Sequence, residues 1–210
     1  MTKERLKSPR ARLFVALDLP ERVGQGLVAW QRVALTDPAL RPVGAEALHV
    51  TLCFLAYQPE REIERIAEAM RSVAPRPVAV RFKEEPVAVP PRRPRLFAVD
   101  AESEGAVALQ AKLSDRLEAE RFYRPEKRPF WPHVTVARIK TSKRSASDRR
   151  GRRRGRPMSV EAPPGPLSAE LLEPFGAVRM TLYRSRLRPT GAEYTPLAEL
   201  DLPPAEAEKR

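Results

Sequence analysis

Two kinds of apolar pattern alternate along this chain. Short, nearly unbroken apolar runs bounded by Pro or by charge predict strands over residues 12–19, 48–55, 77–82, 95–100, 131–139, 177–183 and 194–200. Between them, apolar residues recur at helical spacing. Val23, Leu27, Val28 and Trp30 follow Pro20, which suits a first helical turn, and Ile63, Ile66, Ala67, Met70 and Val73 follow Pro59. Ser103 is placed to cap a third helix carrying Val107, Leu109, Leu113 and Leu117 on one side. Interleaved strands and helices put the chain in the α/β or α+β class.

The pattern repeats. Arg12-Leu13-Phe14 is echoed by Arg95-Leu96-Phe97, and His49-Val50-Thr51 by His133-Val134-Thr135. From Arg12 to His49 is 37 positions and from Arg95 to His133 is 38, with a predicted helix between them in each case. A duplicated strand–helix–strand unit would give two lobes about a pseudo-two-fold axis, with both His-bearing strands facing one cleft.

His49 and His133 are the only two histidines in the sequence. Side chains alternate along a strand, so His49, Thr51 and Cys53 are expected on one face, with Leu48, Val50, Leu52 and Phe54 turned to the core. In the second copy His133 and Thr135 oppose Val134 and Val136. Two half-buried structural histidines are the plainer alternative, but matched flanks around both weigh against it. An unperturbed imidazole titrates near 6.5, so one ring can accept a proton while the other donates one. Thr51 and Thr135 can each donate a hydrogen bond to a phosphoryl oxygen. That set suits in-line displacement at phosphorus, best on a strained cyclic phosphodiester, without metal or covalent intermediate.

Composition narrows the setting. With 210 residues, 42% hydrophobic content and no apolar run near the ~18 a membrane span needs, a soluble, compact bilobed unit over residues 10–202 is expected, with tails at 1–9 and 203–210. The lone Cys53 cannot form an internal disulfide and no signal-type apolar core follows Met1, so a reducing compartment, the cytoplasm, is expected. Lys and Arg number 39 against 27 Asp and Glu, a net +12 that favours polyanions such as nucleic acid. Nine basic side chains and one acidic fall within residues 140–156, read as a mobile basic loop that either contacts RNA phosphates or is merely solvated. Pro clusters at 86–94, 157–166 and 203–204 mark connections. Two other readings stay open. One is a metallohydrolase using His49, Cys53 and His133, short of ligands; the other is a non-catalytic RNA-binding module relying on the basic loop, although aromatics make up only 6%.

His49-Val50-Thr51-Leu52 and His133-Val134-Thr135-Val136 resemble the paired His-x-Thr-x motifs of the 2H phosphoesterase superfamily. Residues 12–17, Phe54-Leu55, Phe130-Trp131-Pro132, Arg138 and Leu182-Tyr183-Arg184-Ser185 with Gly191 and Tyr194 are similar to its RNA 2′,3′-cyclic phosphodiesterase branch, also called 2′-5′ RNA ligase. The resemblance spans about residues 12–202. It implies a bilobal α+β fold with two antiparallel sheets around a central cleft, and hydrolysis of RNA 2′,3′-cyclic phosphate ends, as on tRNA fragments, to 2′-phosphate, with reversible 2′-5′ RNA ligation as a side activity. It further implies His49 as proton donor, His133 as acceptor, and Thr51 and Thr135 on the phosphate. No cofactor, metal or membrane partner is expected, and a monomer is. Arg138 stands where the branch often has an Arg assisting the phosphate; strict alternation puts it on the wrong face, so it needs a bulge or strand end to reach the site. Ala56 stands where these proteins often have Gly.

Overall fold

A computed structural model describes residues 9–142, 156–188 and 191–205. The basic run falls, apart from its ends, outside the described residues, as do residues 1–8 and 206–210 of the expected tails. The chain is α+β and its strands pair antiparallel throughout. In order the elements are β1 (Arg10–Asp18), α1 (Glu21–Ala34), β2 (Leu40–Pro42), β3 (His49–Pro59), α2 (Ile63–Arg71), β4 (Ala79–Phe82), β5 (Val87–Val89), β6 (Leu96–Glu102), α3 (Glu104–Ala119), β7 (His133–Ile139), α4 (Ala169–Leu172), β8 (Phe175–Gly176), β9 (Arg179–Arg188) and β10 (Gly191–Asp201).

The strand order is β10-β9-β1-β3-β7-β6-β4-β8, with β2 beside β7 and β5 beside β6. Across the seam between the two halves β2 pairs with the outer end of β7, and β3 and β7 themselves pair at one position, Val50 opposite Val134. Each of those valines is nearly or wholly buried and directly follows a histidine, so the seam brings the two His-x-Thr segments side by side.

The helices form where apolar period and caps agree. Ser103 is extended and its Oγ accepts from the Ala106 amide, which starts α3 and leaves Ala106, Leu109, Leu113 and Leu117 buried. A short 3₁₀ turn at Glu60–Glu62 separates Pro59 from α2, whose Ile66 and Met70 are fully buried, worth roughly 1.5–3 kcal/mol each against exposure. In α1, Val23, Leu27, Trp30 and Gln31 are buried on one stripe. Among the described residues no helix is long and apolar enough to cross a membrane.

Register corrects the first of the two sequence echoes. Ala16 lies opposite Thr51 and Asp18 opposite His49; Ala98 lies opposite Thr135 and Asp100 opposite His133. Phe14 therefore corresponds to Leu96, not Phe97, and Arg-Leu-Phe matches Arg-Leu-Phe one residue out of register. The echo that folding respects is Ala16-Leu17-Asp18 with Ala98-Val99-Asp100.

Candidate active site

Both His-bearing strands are bulged at the same place. Leu52 has no partner on β1, whose Val15 and Ala16 face Cys53 and Thr51; Val136 has none on β6, whose Phe97 and Ala98 face Ala137 and Thr135. The extra residue resets the alternation, so each strand buries two neighbours in succession, Leu52 with Cys53 and Val136 with Ala137. Two expectations are overturned by this. Cys53 goes to the core, its thiol pushed up to about 12 by burial, and Phe54 turns outward to 40% exposure instead of packing inside. The set His49, Cys53, His133 is thus not assembled. The same bulge carries Arg138 round to the open face, where it lines a cavity of about 140 Å³ with Arg12, Phe14, His49, Thr51, Ser185 and Tyr194.

A buried polar side chain sustains the bulge of β7. Gln31 of α1, 5% exposed, donates from Nε2 to the carbonyls of Val136 (2.7 Å) and Val43 (3.1 Å), adding a second donor to the Val136 carbonyl, which also accepts from the Val43 amide at 3.1 Å. In the first half, Gln58 Nε2 does the same for the carbonyls of Leu55 (2.6 Å) and Phe122 (2.9 Å) beside a second irregularity, where Leu55 has no partner on β1 and Ala56 adopts φ +55°.

His133 is fixed from two sides. Its Nδ1 lies 2.8 Å from the Trp131 carbonyl oxygen, and its ring stacks on the Trp131 indole at 4.1 Å between centroids. A carbonyl oxygen only accepts, so Nδ1 carries a proton and the neutral ring presents a bare Nε2. Trp131 Nε1 donates in turn to Asp100 (2.8 Å), which pairs with Lys83 at 2.9 Å. The His133 pKa is lowered from the ordinary value, mainly by burial; the carbonyl contact opposes this and the Arg128 charge adds to it.

His49 sits in an aromatic cage, stacked on Phe14 at 5.0 Å and Tyr183 at 5.9 Å and edge-on to Tyr194 at 5.4 Å. Its Nδ1 is buried with no hydrogen-bond partner among the described residues, which leaves Nε2 for the cavity. Burial, and secondarily the His133 charge, push its pKa down to about 4. Asp18, opposite it in register, accepts from Thr181 Oγ1 and Tyr183 Oη, both at 2.8 Å, and so holds the Tyr183 ring in the cage. Its own pKa is raised, because burial outweighs those donors.

Thr51 lines the small cavity and also a larger neighbour of about 710 Å³ that contains His133, Trp131, Phe130, Tyr123, Gln110 and Arg128. Thr135 is half-buried on the His133 side of its strand, opposite Ala98. Arg12 and Phe54 border both cavities, the Arg12 guanidinium lying 4.6 Å above the Phe54 ring. Sequence reasoning named both histidines, both threonines and Arg138, but not Arg12, Asp18, Asp100 or the outward Phe54. The paired Asp18 and Asp100 were accessible through the Ala-x-Asp echo, and Arg12 through plain alternation along β1 from Phe14; Phe54 depends on a bulge that no pattern announces.

A family model described as the 2′-5′ RNA ligase superfamily matches residues 20–151. A Thermus thermophilus protein named RNA 2′,3′-cyclic phosphodiesterase is 30% identical over 198 residues, spanning 91% of this chain and 90% of that one. A protein of the same name from Methanocaldococcus jannaschii is 24% identical over 190 residues, 90% of this chain and 99% of the relative. Among solved structures, TT0787 of Thermus thermophilus superposes with a TM-score of 0.69 at 28% identity over 91% of this chain and 97% of its own. Escherichia coli LigT complexed with 3′-AMP gives 0.70 at 22% identity, over 92% and 99%.

Proposed function

From the premise that the chain belongs to the 2′-5′ RNA ligase superfamily, we propose that it is an RNA 2′,3′-cyclic phosphodiesterase that opens the terminal cyclic phosphate to a 2′-phosphate without a metal ion. The observation that carries the reading is the contrast between the two histidine nitrogens. His133, its Nδ1–H held by the Trp131 carbonyl, offers a lone pair at Nε2 and is the base; His49, with Nε2 toward the cavity, is the acid.

The cyclic phosphate sits between them, with Thr51, which lines both cavities, donating to its oxygens, Thr135, which lines neither, donating from the His133 side of β7, and the guanidiniums of Arg12 and Arg138 facing its negative charge. A water oxygen attacks phosphorus while His133 Nε2 takes its proton. The bond from phosphorus to O3′ breaks in line, and His49 delivers a proton to O3′. The phosphate stays on O2′ and a free 3′-hydroxyl is left. With an RNA 5′-hydroxyl in place of water as the attacking group, the same two proton transfers give a 2′-5′ phosphodiester, which is ligation. The larger cavity has room for the terminal nucleoside, with Trp131, Phe130 and Tyr123 at its walls.

Sequence alone suggests two imidazoles near their unperturbed pKa. In the structure both are lowered, because burial penalises the cationic form, and both are neutral at pH 7. The anionic substrate supplies the counter-charge that lets His49 take up its proton, so the acid is armed when substrate binds. The test is hydrolysis of adenosine 2′,3′-cyclic phosphate by purified protein in excess chelator. Adenosine 2′-monophosphate is the expected product; the 3′-monophosphate, or activity restored only by added zinc, would overturn the reading.

A further inference from the structure

At the end of β1 remote from the histidines, β9 outruns its neighbour. Pairing of β1 with β9 stops at Arg12 and Ser185, while β9 continues to Arg188 against β10 alone. The overhang leaves a notch of about 520 Å³ walled by Arg10, Arg12, Arg184, Arg186 and Arg188, with Tyr57 on its rim and Glu60 as the one lining carboxylate among the described residues. The ion pairs Arg184–Glu60 (3.3 Å) and Arg188–Glu193 (3.0 Å) set two carboxylates against five guanidiniums. Arg10 also donates to the Tyr57 carbonyl and Arg12 to Ser185 Oγ at 3.3 Å, but each guanidinium carries five N–H donors, so most remain to meet an anion.

The notch is continuous with the active site. Arg12 lines it and both active-site cavities, and Ser185 lines it and the His49 cavity. Along β1 the residues sharing the cleft face step from Phe14, stacked on His49, to Arg12 and then Arg10, at about 6.7 Å per step. Beside this row lie two outward aromatic rings on β3, Phe54 at 40% and Tyr57 at 55% exposure. A basic groove with interleaved exposed aromatics is what single-stranded nucleic acid requires, its phosphates on the cations and its bases on the ring faces.

We infer that this notch is the track for the nucleotides on the 5′ side of the terminal cyclic phosphate. The inference rests on the phosphodiesterase reading. A 2′,3′-cyclic phosphate closes the 3′ end of an RNA, so the rest of the strand leaves its ribose through the 5′ oxygen, and Arg12 stands where a strand passing from cleft to notch must go. The preferred substrate is then an oligonucleotide end and not a cyclic mononucleotide.

The experiment compares adenosine 2′,3′-cyclic phosphate with a tetranucleotide ending in the same group, across a salt series, for wild type, Arg10→Gln/Arg186→Gln and Tyr57→Ala. Wild type should show a KM at least tenfold lower for the tetranucleotide. The double variant should lose most of that advantage and flatten its dependence on salt by roughly 1.4 in logarithmic slope, about 0.7 for each phosphate contact. Tyr57→Ala should raise the tetranucleotide KM about tenfold with little change in salt slope, as stacking loss requires. Turnover of the mononucleotide should stay within twofold in all three, which also certifies their folding. Equal KM for the two substrates in wild type, or equal effects of the substitutions on both, overturns the inference. Should wild type hydrolyse neither, the phosphodiesterase reading fails, and the notch is judged by anisotropy of a labelled tetranucleotide ending in 2′-phosphate: tenfold weaker binding by the double variant supports it and equal binding sinks it.

Discussion

Burial without a partner for Nδ1 pushes His49 down to about 4, and burial lowers His133 as well against the pull of its carbonyl. In the proposed mechanism the competent form carries a proton on His49 and none on His133. With both free-enzyme values below the ordinary histidine value of about 6.5, kcat/KM should follow a bell whose maximum lies on the acid side of 6.5. The kcat profile, which reports the substrate complex, should shift upward as the phosphate favours imidazolium. A kcat/KM maximum above pH 7.5 would contradict the assignment. Stability carries the same signature. Between 6.5 and about 4 the unfolded chain takes a proton at this histidine that the folded chain refuses, so stability falls as pH is lowered through that window, by up to about 3 kcal/mol. His49→Asn should remove most of that slope in denaturant titrations; an unchanged slope would mean that the ring is not desolvated as described. At this scale the histidines and threonines were readable because the chain holds two histidines in matched settings. Cys53 and Phe54 exchanged their expected places because alternation was counted through a bulge.

Strands, not single residues, decide where the site opens, and the bulges of β3 and β7 are what turn Phe54 and Arg138 outward. Near the first of them Ala56 is held at φ +55°, in the left-handed region that costs a residue with a Cβ about 1–2 kcal/mol. Glycine sheds that cost and gives back part of it as unfolded-chain entropy. Ala56→Gly should therefore stabilise the fold by about 0.5–1 kcal/mol, raising Tm by a few degrees at this size, with turnover unchanged; a lower Tm would refute the strain. Sequence placed the three longer helices and the seven main strands because each carries enough apolar positions to show a period. It missed β2, β5, β8 and α4, all of two to four residues, too short for a period and stabilised by the neighbours they pair with or pack on. The Pro cluster over residues 86–94, read as connection, holds β5, which flanks β6 as Pro allows at an edge.

Across the whole molecule, duplication does the work of assembly. The two His-bearing strands meet at Val50 and Val134, each half supplies one histidine and one threonine, and each sets an Asp opposite its histidine. The second-copy Asp100 holds Trp131, whose carbonyl and indole together fix His133; the first-copy Asp18 holds Tyr183 in the cage of His49. The halves thus share a plan and differ in a respect the proposed mechanism uses, a bonded Nδ1 on His133 and an unbonded one on His49. That difference was out of reach of the sequence, since the motifs read alike and only their packing separates them. The most direct test is single-site: kcat/KM on a 2′,3′-cyclic nucleotide for His49→Asn and His133→Asn, with folding verified by circular dichroism. Loss of about 10²- to 10⁴-fold in each, the usual worth of one general acid or base, is the predicted result. Retention of more than about a third of wild-type turnover by either folded variant would contradict the account.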